Sequence, residues 1–337
     1  MEEIFLDSYG MFLGKKSERL VVKEKSEVKK EVPFFKVEKV FITSRGVSLS
    51  TDAIEECMKS GIQINFLNFK NQPYAKLSSP FLQGTVKTRR QQLTSFETKK
   101  GIKLAKAFVR GKVKNQLVLL KYMSKYRKKR NPALYNYITE RIEKIKNRFE
   151  DINDIEGEKI DDVRQELMTL EANCARKYWE SIQEILPDEV DFPGRETRGA
   201  TDLVNCMLNY GYAILYSQAQ GAIIQAGLDP FAGFLHVDRP GRASFVLDFV
   251  EEFRQQLVDK TIFAMVNQGQ KLEVDEEGQM VNETKNKLRD EILDNLNSYC
   301  QYEGKKHKLK SIIQSQARHL ATFLRDKRNY EPFVGSW

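Results

Sequence analysis

The chain has 337 residues, 41% of them hydrophobic and 30% charged, and it contains no run of the eighteen or more apolar residues that a membrane helix needs. This excludes a helical membrane protein, and the length predicts two domains, each able to bury its own core. Net charge is +8, but residues 85–148 carry twenty Lys and Arg against three Glu and no Asp, a balance of +17 that leaves −9 for everything else. A basic segment beside an acidic body suits a polyanion gripped in one place and worked on by carboxylates in another. A solvated helix face is the plainer alternative, although Tyr122, Tyr126, Tyr135, Tyr137, Gln91 and Gln92 interleave with the charges as a phosphate-tracking surface would.

The first eighty residues read as short strands. Ile4 to Leu6, Met11 to Leu13, Leu20 to Val22, Val37 to Ile42 and Ile62 to Phe69 are rich in β-branched and aromatic residues and are punctuated by Gly10, Gly14, Gly46 and Gly61. Thr51 is placed to cap a helix running to Lys59, and the Lys/Glu mixture from Lys23 to Glu31 fits an exposed edge or hairpin. The start, Met1-Glu2-Glu3, lacks the basic, apolar and small-residue stretches of a secretion signal, so a cytoplasmic location is expected. Cys57, Cys174, Cys206 and Cys300 are too scattered for a metal or redox motif and read as structural.

Turn formers at 78–84 predict a linker, set at 81–90, between an N-terminal β domain (1–80) and a second domain (91–337). Beyond it the apolar period becomes three to four, as in Leu117, Leu120 and Met123 or Ile138, Ile142 and Ile145, which predicts helices. The breaks fall at Asn131-Pro132, Glu156-Gly157, 187–199, 227–241 and 273–279, the last read as a small hairpin or turn. The expected class is α+β, a small sheet domain followed by a larger, mainly helical one.

Four residues stand out for chemistry. On a helix over 160–185, Glu171 falls on the inward stripe with Val163, Leu167, Cys174 and Tyr178, where a carboxylate must be paired, protonated or ligating. A structural pair with Arg or Lys satisfies that requirement as well as a metal does. His236, one of three histidines, ends the loop from Ala226 and can be a core histidine or a ligand. It precedes a helix that Ser244 can cap, with Val246, Val250, Phe253 and Leu257 as its buried stripe. Asp248 and Glu251, three apart, share a face off that stripe. They are a surface pair or the two sides of a cation site. Together the four offer carboxylate oxygens and one imidazole and no thiolate, a set suited to Mn²⁺ or Mg²⁺ and to phosphoryl transfer.

The stretch Arg195 to Asp259, with Asp202-Leu203-Val204-Asn205, Asn209-Tyr210-Gly211-Tyr212, Ala226 to Pro230, Gly233-Phe234-Leu235-His236 and Asp248 to Arg254, closely resembles the CRISPR-associated protein one family, the integrase subunit of CRISPR adaptation. Leu170 to Trp179 is similar to the family's Glu-Gly-x-x-Ala-Arg-x-Tyr-Trp block, with Ala172 for Gly, and Gln255 stands where the family often has Pro. The resemblance implies that Glu171, His236 and Glu251 hold Mn²⁺ or Mg²⁺ with Asp248 beside them. It also implies an N-terminal β domain that forms a homodimer, assembly with a small second adaptation subunit, and attack by the 3′-hydroxyl ends of a captured DNA fragment on the CRISPR array. A stand-alone structure-selective endonuclease and a non-catalytic nucleic-acid-binding subunit remain open alternatives. Backbone contacts to DNA are expected from Arg89, Arg90, Lys128, Lys129 and Arg130, and nearer the site from Arg195, Arg198, Arg239 and Arg242.

Overall fold

A computed structural model describes residues 2–68, 73–79, 86–125 and 127–336. The chain forms two compact units, Met1–Leu82 and Gln83–Trp337. No helix among the described residues is long and apolar enough to cross a membrane.

The first unit holds two four-stranded sheets. One runs β1 (Glu2–Leu6), β5 (Val37–Ile42), β7 (Gln63–Leu67) and β8 (Pro73–Leu77), with the first three parallel and β8 antiparallel; the other runs β4 (Glu27–Pro33), β3 (Arg19–Glu24), β2 (Phe12–Lys16) and β6 (Ser48–Leu49). Alternation puts Ile4, Leu6, Leu13, Leu20, Val22, Val40, Ile42 and Ile64 into one core, closed by Ala53 and Cys57 of helix α1 (Thr51–Lys59). The hairpin expected around Lys23 to Glu31 is β3–β4, whose outer strand is largely exposed and charged, as an edge that resists pairing should be. The cap of α1 is Ser50 instead of Thr51: the Ser50 hydroxyl accepts the Ala53 N–H at 3.2 Å, leaving Thr51 in the first turn. Phe69, at the end of the expected fifth strand, lies outside the described residues.

The second unit is helical. Helices α2 (Val86–Ser95), α3 (Lys99–Ser124), α4 (Arg127–Arg130), α5 (Pro132–Glu150), α6 (Ile160–Ile185) and α7 (Leu203–Gln225) are followed by α8 (Ser244–Val250), a π-helical segment (Arg254–Asp259), α9 (Lys260–Asn267), α10 (Asn282–Asn297) and α11 (Leu309–Leu324). Because α2 begins at Val86, the second half of the expected 81–90 linker is helix; residues 81–85 lie outside the described ones. A strand pair, β9 (Tyr299–Tyr302) with β10 (Lys305–Lys308), interrupts what the periodicity read as continuous helix. The expected turn at 273–279 is closed by a bridge between Val274 and Met280.

Two long helices, α3 and α6, pack against each other, and the 251–259 region lies against α3 and α7. The C-terminal segment locks this arrangement. Asn115 of α3 donates to the carbonyls of Gly111, Glu252 and Phe333 and accepts the Gly335 N–H at 2.8 Å, while buried Glu252 accepts from the Tyr330 hydroxyl and the Phe333 N–H. Burial pushes the Glu252 carboxyl up to about 8, against the pull of those two donors. All four cysteines are free. Cys57 and Cys174 are buried, and burial lifts their thiols to about 12 and about 11, values that leave no thiolate at neutral pH.

Candidate metal centre

Three of the four sequence candidates converge. Glu171, His236 and Glu251 line one small cleft with Lys112, Phe108, Val109, Met168 and Leu235. Glu171 comes from α6 and is only half-buried, at the border of the inward stripe, with buried Leu167, Leu170 and Cys174 around it. His236 comes from the loop after α7. That loop is fixed at one end by Gln92, whose amide donates to the carbonyls of Asp229 and Ala232 and accepts the Asp229 N–H at 2.8 Å. Gln92, expected on a phosphate-tracking surface, is therefore buried and structural.

The other end is held from α8. Ser244 does not cap this helix, whose N-cap is Ala243 without a side-chain bond. The Ser244 hydroxyl instead accepts the Gly233 N–H and sits between the Phe231 carbonyl and the Asp238 carboxylate. Gly233 is obligatory there, since a Cβ would come within 2.8 Å of the Ser244 backbone.

Asp248, fully buried, accepts the backbone N–H groups of Phe234, Leu235 and His236 at 2.6, 3.1 and 2.9 Å and meets His236 Nδ1 at 2.7 Å. A carboxylate with that many donors can only accept from Nδ1, so a ring proton sits there, and in the neutral ring Nε2 is the acceptor. This corrects the expectation that Asp248 and Glu251 share a face about one cation. The helix does not continue through Glu251: it stops at Val250, turns, and resumes as the π segment at Arg254. The turn sends Asp248 to the His236 loop and Glu251 to the cleft, and both are buried instead of lying on an outer face.

Glu251 meets two cations. Its Oε1 lies 2.9 Å from Arg254 Nη2, and its Oε2 lies 2.7 Å from Lys112 Nζ, which also contacts Glu171 Oε1. Burial alone would raise the Glu251 carboxyl, but Arg254, Lys112 and His236 outweigh it and hold the group at about 2. Burial likewise opposes the Lys112 ammonium, and the two glutamates more than offset that. Arg254 is itself oriented by Tyr212, whose ring centroid lies 4.4 Å away and whose hydroxyl, with that of Tyr178, binds buried Asp259 at 2.5 and 2.7 Å. Arg195 stacks 5.3 Å from the same ring and donates to Asn205 and Asn209, so that guanidinium is engaged internally.

Sequence reasoning missed Lys112. It stands three after Val109 and four after Phe108, both buried, and a cation at an inward helical position demands a carboxylate just as Glu171 demands a cation.

The donor set suits a hard divalent ion. Two carboxylates already face one positive charge, and His236 Nε2 is turned free by a carboxylate behind the ring, the usual support of a metal-bound imidazole. As they stand, no three His, Cys, Asp or Glu side chains among the described residues converge on an ion, because both glutamates are drawn onto Lys112.

The family model described as CRISPR associated protein Cas1 matches residues 4–298. The chain belongs to the Cas1 family. It is 36% identical to the CRISPR-associated endonuclease Cas1 1 of Archaeoglobus fulgidus, with 99% of each chain covered, and 33% identical to the protein of the same name from Francisella tularensis subsp. novicida, with 100% of each covered. Among solved structures, a casposase bound to integration product superposes with a TM-score of 0.81 at 23% identity, covering 99% of this chain and 93% of that one. A Cas1 protein from Thermotoga maritima gives 0.75 at 21%, with 99% and 100% covered, and a Cas6-RT-Cas1–Cas2 complex gives 0.76 at 18%, with 98% of this chain and 36% of that one. These structural likenesses establish the Cas1 fold, a sheet domain followed by a helical one.

Proposed function

We propose that this Cas1 protein is a metal-dependent DNA endonuclease and integrase that inserts captured DNA fragments into a CRISPR array, using Glu171, His236 and Glu251 to hold Mn²⁺ or Mg²⁺. The observation that carries this reading is the convergence of two carboxylates and a free imidazole nitrogen on one cleft from three separate elements. When bound, the ion would neutralise charge on a phosphodiester and activate the attacking oxygen of a 3′-hydroxyl or of water. The protein supplies the rest: Asp248 fixes the His236 ring, Arg254 fixes Glu251, and apolar Phe108, Val109, Met168 and Leu235 limit water in the cleft. The deciding experiment is strand transfer on branched DNA with purified protein. Joining should require Mn²⁺ or Mg²⁺, fail in chelator, and be poor in Ca²⁺, whose longer and looser coordination misplaces the nucleophile. Hydrolysis without joining would favour the stand-alone endonuclease, and full activity in chelator would remove the metal.

The basic segment is assigned to the DNA backbone. Lys128, Lys129 and Arg130 are exposed on α4, and Lys121, Lys125, Lys128 and Lys146 line an open groove with Tyr135 and Thr139. Arg90, Arg198 and Arg239 are exposed, and Arg89 and Arg242 half-buried, as further candidates. Replacing Lys128, Lys129 and Arg130 by Ala should weaken binding to unrelated duplexes alike and make the log-log salt slope shallower by about one for each phosphate no longer neutralised. Unchanged binding at every salt concentration would reduce the run to a solvated helix end.

The assembly is read as a homodimer held through the β unit, joined to the small second adaptation subunit, as one structural neighbour is a complex containing Cas2 by name. The β unit exposes Tyr9, Phe35 and Tyr74 at 81%, 77% and 67%, aromatic side chains that a second copy could cover. Sedimentation of the full chain at micromolar concentration should give a dimer, and a monomer there would count against it.

A further inference from the structure

We propose that Lys112 is a positioning residue that occupies the ion position: its ammonium holds Glu171 and Glu251 in apposition and is exchanged for the divalent cation when the site loads. The inference rests on the metal-site reading of the same cleft. Three observations carry it. Lys112 Nζ touches both glutamates, 2.7 Å from Glu251 Oε2 and closer still to Glu171 Oε1, so it sits about where an ion shared by those oxygens would lie. A monovalent and a divalent cation cannot share that spot, since their repulsion in a buried site far exceeds what either gains from a second carboxylate.

The pair is also imperfect as a permanent structural bridge. Among the described residues Lys112 is the one group that meets buried Glu251 Oε2, so the second lone pair of that oxygen has no donor. A lasting buried bridge is expected to satisfy every lone pair it buries. Arg254, by contrast, is held from behind by Tyr212 and need not leave.

Charge supplies the third observation. Glu171, Glu251 and Asp248 against Lys112 and Arg254 sum to −1, so the cluster as it stands repels a phosphodiester. Exchange of the ammonium for a divalent ion leaves that cluster neutral and frees a flexible lysine at the rim, 16% exposed already. Loading the ion thus removes the repulsion and adds a rim cation that a polyanion can meet.

The test uses the full chain and reads Lys112 directly. Amine acylation followed by peptide mass spectrometry should find Lys112 slow to react without ions and about tenfold faster at saturating Mn²⁺, as its two partners let go. Exposed Lys129 serves as the unchanged internal reference. Calorimetric titration should show Lys112→Met binding Mn²⁺ about tenfold more tightly than the parent protein, because the competing charge is gone. Unfolding of that variant without ions should occur at lower temperature, with a larger upward shift on adding Mn²⁺. Equal labelling of Lys112 with and without saturating Mn²⁺ overturns the exchange even if the variant does not fold, as does unchanged or weaker Mn²⁺ affinity in the variant. No Mn²⁺ binding by the parent protein removes the metal-site reading itself, and the exchange with it.

Discussion

Glu171→Gln and Glu251→Gln should each lower strand transfer by at least about a hundredfold, because losing one ligand leaves the ion displaced by an ångström or so. The two should part company in stability. Glu171 is 20% exposed and gives up only its pairing with a lysine that can turn to water, so its variant should unfold near the parent temperature. Glu251 is buried and is the partner of both Arg254 and Lys112, and removing its charge leaves those cations facing each other. Breaking a buried pair of that kind costs about 3–5 kcal/mol. Denaturant titrations beside the joining assay measure both effects. Near-normal joining by Glu171→Gln would sink the proposed site, whatever the behaviour of Glu251→Gln.

The difference between these two glutamates was only partly legible in the sequence. Period alone puts Glu171 at an inward position, since α6 runs unbroken over Ile160–Ile185 and the expected helix coincides with it, but it does not choose between a metal and a structural pair. Glu251 is found by its motif, but its orientation is not, because a 3.6-residue wheel assumes a continuous helix. The chain leaves that geometry between Val250 and Arg254 and re-enters it through a π-helical segment, which rotates everything after Val250 relative to Asp248. Hydrogen bonds that span more than eighty residues hold this turn in place, notably those of Glu252 to Phe333 and of Asn115 to Gly335. No local pattern announces them. Lys112 escaped for a related reason: in a segment with twenty basic residues, one lysine at an inward position is hidden by nineteen others that have no need to be buried. Arg195 and Gln92 show the converse, polar residues that composition assigns to a DNA surface and that tertiary contacts use inside the protein. The sheet domain was easier, because alternation and turn glycines are local signals; the cap, Thr51 for Ser50, is off by a single position, while the short β6 and the edge strand β8 carry too little apolar pattern to be read and were missed.

Asp248→Asn is expected to lower joining, although by less than loss of His236 itself, because Asp248 is not among the groups placed to hold the ion. Its Oδ2 accepts the N–H groups of Phe234 and Leu235, and its Oδ1 accepts the N–H and the Nδ1 proton of His236. An amide has one accepting end, so in either orientation its NH₂ must face two donors. Turned toward Phe234 and Leu235, it leaves two buried backbone N–H groups unsatisfied, at about 1–3 kcal/mol each. Turned toward His236, it clashes with the backbone N–H and can be relieved at the ring only if Nδ1 becomes the acceptor, which moves the proton to Nε2 and removes the lone pair that would face the ion. Both outcomes damage the site, and the second changes the tautomer without moving a heavy atom. Joining should fall by about tenfold to a hundredfold, the usual effect of losing the carboxylate behind a ligating histidine. Thermal unfolding should shift downward in Asp248→Asn and much less in His236→Ala, which leaves Asp248 its three backbone partners. Because Asp248 acts through His236, the double variant should join no more slowly than His236→Ala alone. Joining by Asp248→Asn within threefold of the parent protein, or a double variant in which the two losses multiply, would show that this carboxylate does not work by orienting the ring.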